Sequence, residues 1–133
     1  FGIWSAEFTQ GYTAGMTGMD RWIDWNKDDF IGRKAALTER DSTPPKQMLV
    51  TLDIDADDAD ASGYEPVWSD GELVGFVTSG GYGHTIKKSL AMALVNADLA
   101  KEGTKLSVHI VGVERQATVI APSPYDPAGH AMR

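Results

Sequence analysis

Apolar and polar residues alternate from residue 47 onward, and a period of two is the pattern of a half-buried β-strand. In QMLVTLDID every second residue is apolar: Met48, Val50, Leu52 and Ile54. PVWSDGELVGFVTSG predicts two strands around Asp70-Gly71, a dipeptide that supplies the positive φ angles of a tight hairpin. SLAMALVNADL, TKLSVHIVGVE and ERQATVIAP add three more strands. Five or six short strands at this spacing predict a small barrel or sandwich.

A different pattern covers the first 45 residues. FGIWSAEFTQGYTAGMTGMDRWIDW is rich in aromatic residues, glycine and threonine and has no helical period, so it predicts strand and loop. NKDDFIGRKAALTERD predicts a helix, for which the candidate caps are Asp28, Asp29 and Gly32. The prolines at 44 and 45 end this segment, because proline removes a backbone donor. We therefore place a boundary near residue 45 and interpret PSPYDPAGHAMR as an extended C-terminal segment.

Composition narrows the class of protein. The 133 residues, 42% hydrophobic and 23% charged, fit one folded domain or a domain with a piece of another. A net charge of −7 with scattered Lys and Arg disfavours nucleic acid as a partner, and no apolar run approaches the roughly 20 residues of a membrane span. The absence of cysteine excludes thiolate chemistry and fits a reducing compartment, so we expect a cytoplasmic location. A first residue of Phe1 suggests a fragment of a longer protein.

The aspartates between residues 53 and 60 raise the question of a calcium site. An EF-hand loop that starts at Asp53 has Asp58 in place of the sharp-turn glycine and Tyr64 in place of the bidentate glutamate. A solvated and mobile acidic loop is the better interpretation. The histidines are too far apart in the sequence for a local metal motif, so we predict no metal: His84, His109 and His130.

The glycine-rich turn in SGGYGHTIKKS resembles a phosphate-binding loop only superficially. Lys87 stands where a P-loop needs glycine, and Ile86 stands where a dinucleotide fingerprint needs its third glycine. The turn is therefore predicted to reverse the chain between two strands, with Tyr82 and His84 at its tip. No G-x-S-x-G motif supports a serine hydrolase. The chemistry alone favours a binding or supporting domain.

Two stretches resemble signatures of the aminomethyltransferase, or glycine cleavage T-protein, superfamily. GMDRWIDWNKDDFIGRKAAL is similar to its linker, and GYEPVWSDGELVGFVTSGGYGHTIKKSLAMALV is similar to its C-terminal barrel. The two occur in the family's order, and the match covers nearly the whole chain. The resemblance implies a mainly β fold, in which residues 45–133 form a six-stranded antiparallel barrel. Residues 1–44 would then be a strand-plus-helix remnant of the folate-binding domain.

Within the superfamily, three stretches are most similar to the flavin-linked dimethylglycine and sarcosine dehydrogenases: WSAEFTQGYTAGMTGMDRW, SGGYGH and APSPYDPAGHAMR. In those enzymes a flavin domain oxidises an N-methyl amine, and the T-protein-like half passes the one-carbon unit to tetrahydrofolate. The resemblance implies that the parent protein binds FAD in a domain outside this chain. It also implies that the preceding folate and flavin domains are the partners of this one. A stand-alone aminomethyltransferase and a non-catalytic interaction domain stay open as alternatives.

The resemblance implies which residues reach the folate. The family's catalytic carboxylate and most of its pterin pocket precede Phe1, so no catalytic residue is assigned and the fragment alone is expected to be inactive. Tyr125 matches the place where the family brings a C-terminal residue to the folate. Tyr82 and His84 lie on the family's SGGY turn, and Arg33 matches the arginine of its FIGR motif. These four residues are the predicted rim of the tetrahydrofolate site.

Two expectations concern the start of the chain. A remnant of a larger domain should expose an apolar face and so favour self-association or partial disorder. The residues predicted for this face are Ile3, Trp4, Phe8 and Trp22. The resemblance also places Trp4, Glu7 and Tyr12 on a strand that leaves the folate domain. Glu7 matches a position that is often acidic in the family, and a side chain that simply meets solvent stays open as the alternative.

Overall fold

A computed structural model describes residues 2–132 as one helix followed by six strands. Short 3₁₀ turns lie at Asp20–Trp22, Ala97–Leu99 and His130–Met132. The helix and strands are α1 (Arg33–Ser42), β1 (Gln47–Ile54), β2 (Pro66–Ser69), β3 (Glu72–Gly83), β4 (Lys88–Asn96), β5 (Lys105–Ile110) and β6 (Val113–Ile120).

The six strands close into a barrel in the order β1-β4-β3-β2-β5-β6, and every neighbouring pair is antiparallel. This confirms the predicted barrel, and the alternative of a sandwich is wrong. The ladders differ in length. The β1–β4 ladder runs from Gln47↔Asn96 to Ile54↔Ser89, whereas β2 and β5 are joined only by Val67↔Val108 and Trp68↔Ser107.

The barrel interior is filled by small and branched apolar side chains. On β1 the alternating face is confirmed, because Val50, Leu52 and Ile54 are buried. Val77 of β3 and Val108 of β5 are also completely buried, and these residues belong to one continuous core. Full burial of each such side chain contributes about 1.5–3 kcal/mol. The hydrophobic effect therefore stabilises residues 47–120 as one unit.

Backbone geometry explains two sequence features of the hairpins. Asp70 (φ 50°) and Gly71 (φ 82°) both lie in the left-handed region, which confirms the predicted turn between β2 and β3. On β3, a Cβ atom on Gly80 would lie 2.3 Å from the carbonyl oxygen of Ala61. That glycine is required by the close approach of the preceding loop.

The β3–β4 pairing reaches Gly83↔Lys88, so the chain reverses here as predicted and His84 lies in the turn. The prediction that Tyr82 lies at the tip is wrong, because Tyr82 belongs to β3 and pairs with Ser89.

The first part of the chain, which we call the leading segment (residues 2–32), differs from the prediction. It consists of turns and bends with one short 3₁₀ turn, so the strand expected here is wrong. Local bonds satisfy the backbone instead: the N–H groups of Ala6 and Glu7 both donate to the carbonyl of Ile3. The helix α1 follows, capped by Gly32 at φ 88°, and Pro44 lies two residues beyond its end. The boundary near residue 45 stays a prediction.

The acidic loop between β1 and β2 is fastened to the barrel at several points. Ser89 donates to Asp60 (2.7 Å), Arg115 pairs with Asp58 (2.8 Å), and Ala61 is buried in the core. The aspartates themselves are exposed at residues 55, 57, 58 and 60, as predicted for a solvated loop.

The last part of the chain, the exit segment (residues 121–132), is irregular and then turns. The carboxylate of Asp126 accepts from the N–H groups of His130 and Ala131, both at 2.7 Å. These bonds close the final 3₁₀ turn. The segment is therefore not extended throughout, because Asp126 satisfies its backbone locally. No helix within residues 2–132 is long and apolar enough to cross a membrane.

Candidate functional site

A cavity of about 470 Å³ lies where the leading segment, the β3–β4 turn and the exit segment meet. We call it the seam cavity. The leading segment forms one wall, the turn and the exit segment form another, and outer residues of β1 and β4 form the floor. Its lining includes Phe8, Met19, Arg21, His84, Met92 and Tyr125.

Two of the four predicted folate-rim residues meet in the seam cavity. His84 follows the last residue of β3, and Tyr125 lies in the exit segment, so they are far apart in the sequence. The Tyr125 side chain is 57% exposed. A ligand in the cavity would therefore contact a residue that remains accessible from solvent. The predicted role of these residues in folate binding stays a prediction.

Tyr82 lies beside this cavity. Its ring makes an edge-to-face contact with the His84 ring, with centroids 5.0 Å apart and an interplanar angle of 78°. Tyr82 itself lines a separate open polar groove, together with Lys87 and Lys88. It can therefore orient His84 without lining the seam cavity.

Arg33 lies in a separate place. It is the first residue of α1, and its surface depression is lined by Phe30, Thr38 and other residues that take no part in the seam cavity. The Nε atom of Arg33 is buried and has no hydrogen-bond partner within residues 2–132. The first turn of α1 also carries no acidic residue. The structure therefore does not bring Arg33 together with His84 and Tyr125.

Several residues of the seam cavity were not predicted from the sequence. Met19 and Arg21 come from the leading segment, and Met92 comes from β4. Thioether and aromatic side chains suit a flat ring, and a guanidinium suits a carboxylate or phosphate. The cavity can therefore accept a ligand that carries both a ring and a negative charge. The only signal in the sequence was that Met19 and Arg21 lie in the linker-like stretch and Met92 lies in the barrel-like stretch.

Glu7 is completely buried, so of its two interpretations the solvent-exposed side chain is wrong. Its carboxylate accepts hydrogen bonds from the Ile3 N–H and from the Ser79 hydroxyl, the latter at 2.7 Å. Burial raises the pKa of Glu7, but the neighbouring Thr78 hydroxyl and the hydrogen bonds from the Ile3 N–H and the Ser79 hydroxyl outweigh this effect, so the pKa lies below its ordinary value. Glu7 is thus held as a carboxylate inside the protein.

The apolar face predicted for the start of the chain is confirmed at three positions. Ile3, Trp4 and Trp22 are 50%, 77% and 75% exposed. The prediction is wrong for Phe8, which is half-buried and lines the seam cavity. Its ring packs directly over Gly2, where a Cβ atom would lie 2.4 Å from Phe8 Cε2.

Residues 47–126, which include the whole barrel and Tyr125, match the family described as the glycine cleavage T-protein C-terminal barrel domain. The chain belongs to this family. The match starts at the first residue of β1 and extends into the exit segment. The leading segment and α1 precede the region that matches the T-protein barrel family.

Relatives of this T-protein barrel chain extend the similarity into the leading segment. It is 37% identical over 121 residues to the mitochondrial dimethylglycine dehydrogenase of Rattus norvegicus, covering 90% of the chain and 14% of that protein. It is 34% identical over 112 residues to a probable aminomethyltransferase of Thermococcus kodakarensis, covering 84% of the chain and 27% of that protein. The chain thus spans between about a seventh and about a quarter of these relatives.

A solved structure shares the fold of the T-protein barrel chain. The glycine cleavage system aminomethyltransferase T of Bartonella henselae superposes with a TM-score of 0.78 at 23% identity. The superposition covers 89% of the chain and 33% of that protein.

Proposed function

We propose that the chain is the C-terminal part of the folate half of a flavin-linked dimethylglycine or sarcosine dehydrogenase. In that enzyme a one-carbon unit passes to tetrahydrofolate. The seam cavity carries this proposal, because it joins His84 and Tyr125 at the surface where a preceding domain would dock. The similarity to dimethylglycine dehydrogenase over 90% of the chain supports the flavin-linked type.

The residues of the seam cavity fit part of a tetrahydrofolate molecule. Phe8, Tyr125 and Met92 offer apolar and aromatic surface for a ring, and Arg21 offers a cation for a glutamyl carboxylate. The cavity volume of about 470 Å³ lies within the 300–1,000 Å³ range of small-molecule sites. These residues would hold the rim of the cofactor. Tetrahydrofolate, when bound, supplies the amine nitrogens that accept the one-carbon unit.

The residues of this chain act by binding and by excluding water. The closed barrel supports the floor of the cavity rigidly, since β1 and β4 are joined along their whole length. The exit segment places Tyr125 over one side, and the leading segment places Phe8 over the other. A covered one-carbon intermediate is protected from hydrolysis. No catalytic acid or base is assigned to residues 2–132.

FAD and the amine substrate belong to the preceding domains in this proposal. Those domains are the partners, and the exposed Trp4 and Trp22 side chains are the surface that they would cover. A cysteine-free chain fits a reducing compartment, and the cytoplasm is the location that we propose. A stand-alone aminomethyltransferase is the second candidate, supported by the 34% identity to the Thermococcus kodakarensis protein.

The proposal is tested with the intact polypeptide to which this chain belongs. It should oxidise dimethylglycine or sarcosine and convert tetrahydrofolate to its methylene form. Tyr125→Ala and Arg21→Ala should each raise KM for tetrahydrofolate about tenfold and leave amine oxidation unchanged. Tyr64→Ala, an exposed residue outside the cavity, is the control.

Other results would distinguish the proposal from its alternatives. An intact protein that transfers an aminomethyl group without oxidising an amine would be the stand-alone aminomethyltransferase. A G-x-G-x-x-G motif several hundred residues upstream would argue for the dehydrogenase instead. A protein with no response to tetrahydrofolate would be an interaction domain.

A further inference from the structure

Within residues 2–132, three long-range hydrogen bonds attach the leading segment to the rest of the protein. The Leu49 N–H of β1 donates to the carbonyl of Met16 at 2.7 Å. The hydroxyl of Thr13 donates to the carboxylate of Glu39 in α1. The hydroxyl of Ser79 in β3 donates to the carboxylate of Glu7 at 2.7 Å. Of the side chains that accept these bonds, Glu7 is the one that is completely buried.

The Glu7 bond reaches an irregular point of the barrel. The pairing of β3 with β4 shifts between Val77 and Ser79, so Thr78 is an extra residue on β3. Its hydroxyl donates to the Met92 carbonyl at 3.0 Å. A β-bulge changes the direction of the strand and re-aims the side chains beside it. Here the Ser79 hydroxyl next to the bulge donates to Glu7, which lies 72 positions earlier in the sequence.

Next to Glu7, Phe8 forms a wall of the seam cavity. Its ring packs against Gly2, and both residues line the cavity. The Ile3 N–H donates to the Glu7 carboxylate, so this side chain also holds the backbone that runs from Gly2 to Phe8. Removal of a partner from a buried carboxylate is costly, because the group then loses hydrogen bonds that water cannot replace.

We propose that Glu7 is the positioning residue of the seam cavity. Its buried carboxylate fastens the leading segment to Ser79 at the β3 bulge and thereby holds Phe8 in place as one wall. Glu7 acts through Phe8 and contacts no ligand. This inference rests on the proposed function only for the identity of the ligand that binds in the seam cavity. The attachment of the leading segment can be tested without any ligand.

Hydrogen exchange of the 133-residue chain tests the attachment. Glu7→Gln should speed exchange in residues 2–12 at least tenfold and leave the peptides of β1 and β4 unchanged. Ser79→Ala should give part of this effect. Exchange in the double variant should be no faster than in Glu7→Gln, because both substitutions remove the same hydrogen bond between Glu7 and Ser79. Glu7→Asp keeps the charge on a shorter side chain and should restore part of the protection. Glu39→Gln removes the Thr13 attachment of the same segment and is the matched control. It should leave exchange in residues 2–12 unchanged.

Oxidation of methionine by hydrogen peroxide reports on the cavity itself. Met92 lines the seam cavity, whereas Met48 lines a different depression. In Glu7→Gln, Met92 should be oxidised several-fold faster and Met48 at the rate of the unchanged protein. Unchanged exchange in residues 2–12 would overturn the proposal, and so would an equal acceleration in every barrel peptide. If Glu7→Gln does not fold, Ser79→Ala alone decides by the same criteria. Because no folate is used, failure of the proposed function leaves these results unaffected.

Discussion

The ring of Tyr82, near the end of β3, stands edge-on to the ring of His84, which lies two residues later in the β3–β4 turn. His84 lines the seam cavity, and Tyr82 lines the polar groove next to it. An aromatic edge-to-face pair contributes about 0.5–1.5 kcal/mol beyond its buried area. The contact therefore fixes the orientation of His84 from outside the cavity.

This pair predicts unequal effects on folate use by the intact protein. His84→Ala should raise KM for tetrahydrofolate about tenfold, because it removes a lining side chain. Tyr82→Leu should raise KM only two- to fivefold, because it loosens His84 without emptying the cavity. Steady-state kinetics with varied tetrahydrofolate measures both. An effect of Tyr82→Leu larger than that of His84→Ala would show that Tyr82 contacts the ligand directly.

Two neighbouring glycines on β3 should respond differently to alanine. At Gly80 a Cβ atom would lie 2.3 Å from the Ala61 carbonyl oxygen, so Gly80→Ala should destabilise the fold by about 1–3 kcal/mol. At Gly81 no atom lies within 4 Å of the added Cβ, so Gly81→Ala should change stability by less than about 0.5 kcal/mol. Urea denaturation followed by far-ultraviolet circular dichroism compares them. Equal losses would mean that the loop at Ala61 does not press on β3.

The lowered pKa of Glu7 predicts a dependence of stability on pH. A carboxyl group with a lower pKa in the folded state contributes stability above its unfolded pKa, about 4.3 for glutamate. That contribution is lost as the pH falls through the folded pKa. The difference in Tm between the unchanged protein and Glu7→Gln should therefore be constant near pH 7 and shrink below about pH 4. A difference that grows in acid would contradict the hydrogen-bonded carboxylate.

The exposed tryptophans of the leading segment predict self-association of the isolated chain. Trp4 and Trp22 are about three-quarters exposed, and exposed apolar surface of this kind promotes association. Replacement of both by serine should lower the mass measured by light scattering at high protein concentration toward that of a monomer. Leu73→Ser, at another exposed apolar residue, should leave the mass unchanged. A monodisperse monomer before any substitution would contradict the prediction.

The sequence predicts the barrel well, because its strands depend on local alternation. Val50, Leu52 and Ile54 repeat at a period of two and are buried together. Asp70-Gly71 adopts the backbone angles that its residue types favour. The pattern and the structure agree here because each strand buries one face against the same core.

The seam cavity could be predicted only in part. His84 and Tyr125 were identified from a family resemblance, but Met92 and Phe8 join them through contacts between distant segments. No local pattern encodes such contacts. The burial of Glu7 could not be predicted for the same reason: a glutamate normally lies in solvent, and the hydrogen bond that accompanies its burial comes from Ser79, 72 residues later.

The barrel can close only after β5 has paired with β2 and β6 has paired with β1. Two residue pairs join β2 to β5, and four pairs, Thr51↔Ile120 to Ile54↔Ala117, join the same C-terminal hairpin to β1 on its other side. A ribosome that has released residues 47–96 has supplied four strands of an open sheet, which cannot close by themselves. Closure waits for the last hairpin to be synthesised, and until then the interior of the domain is open to water and to chaperones.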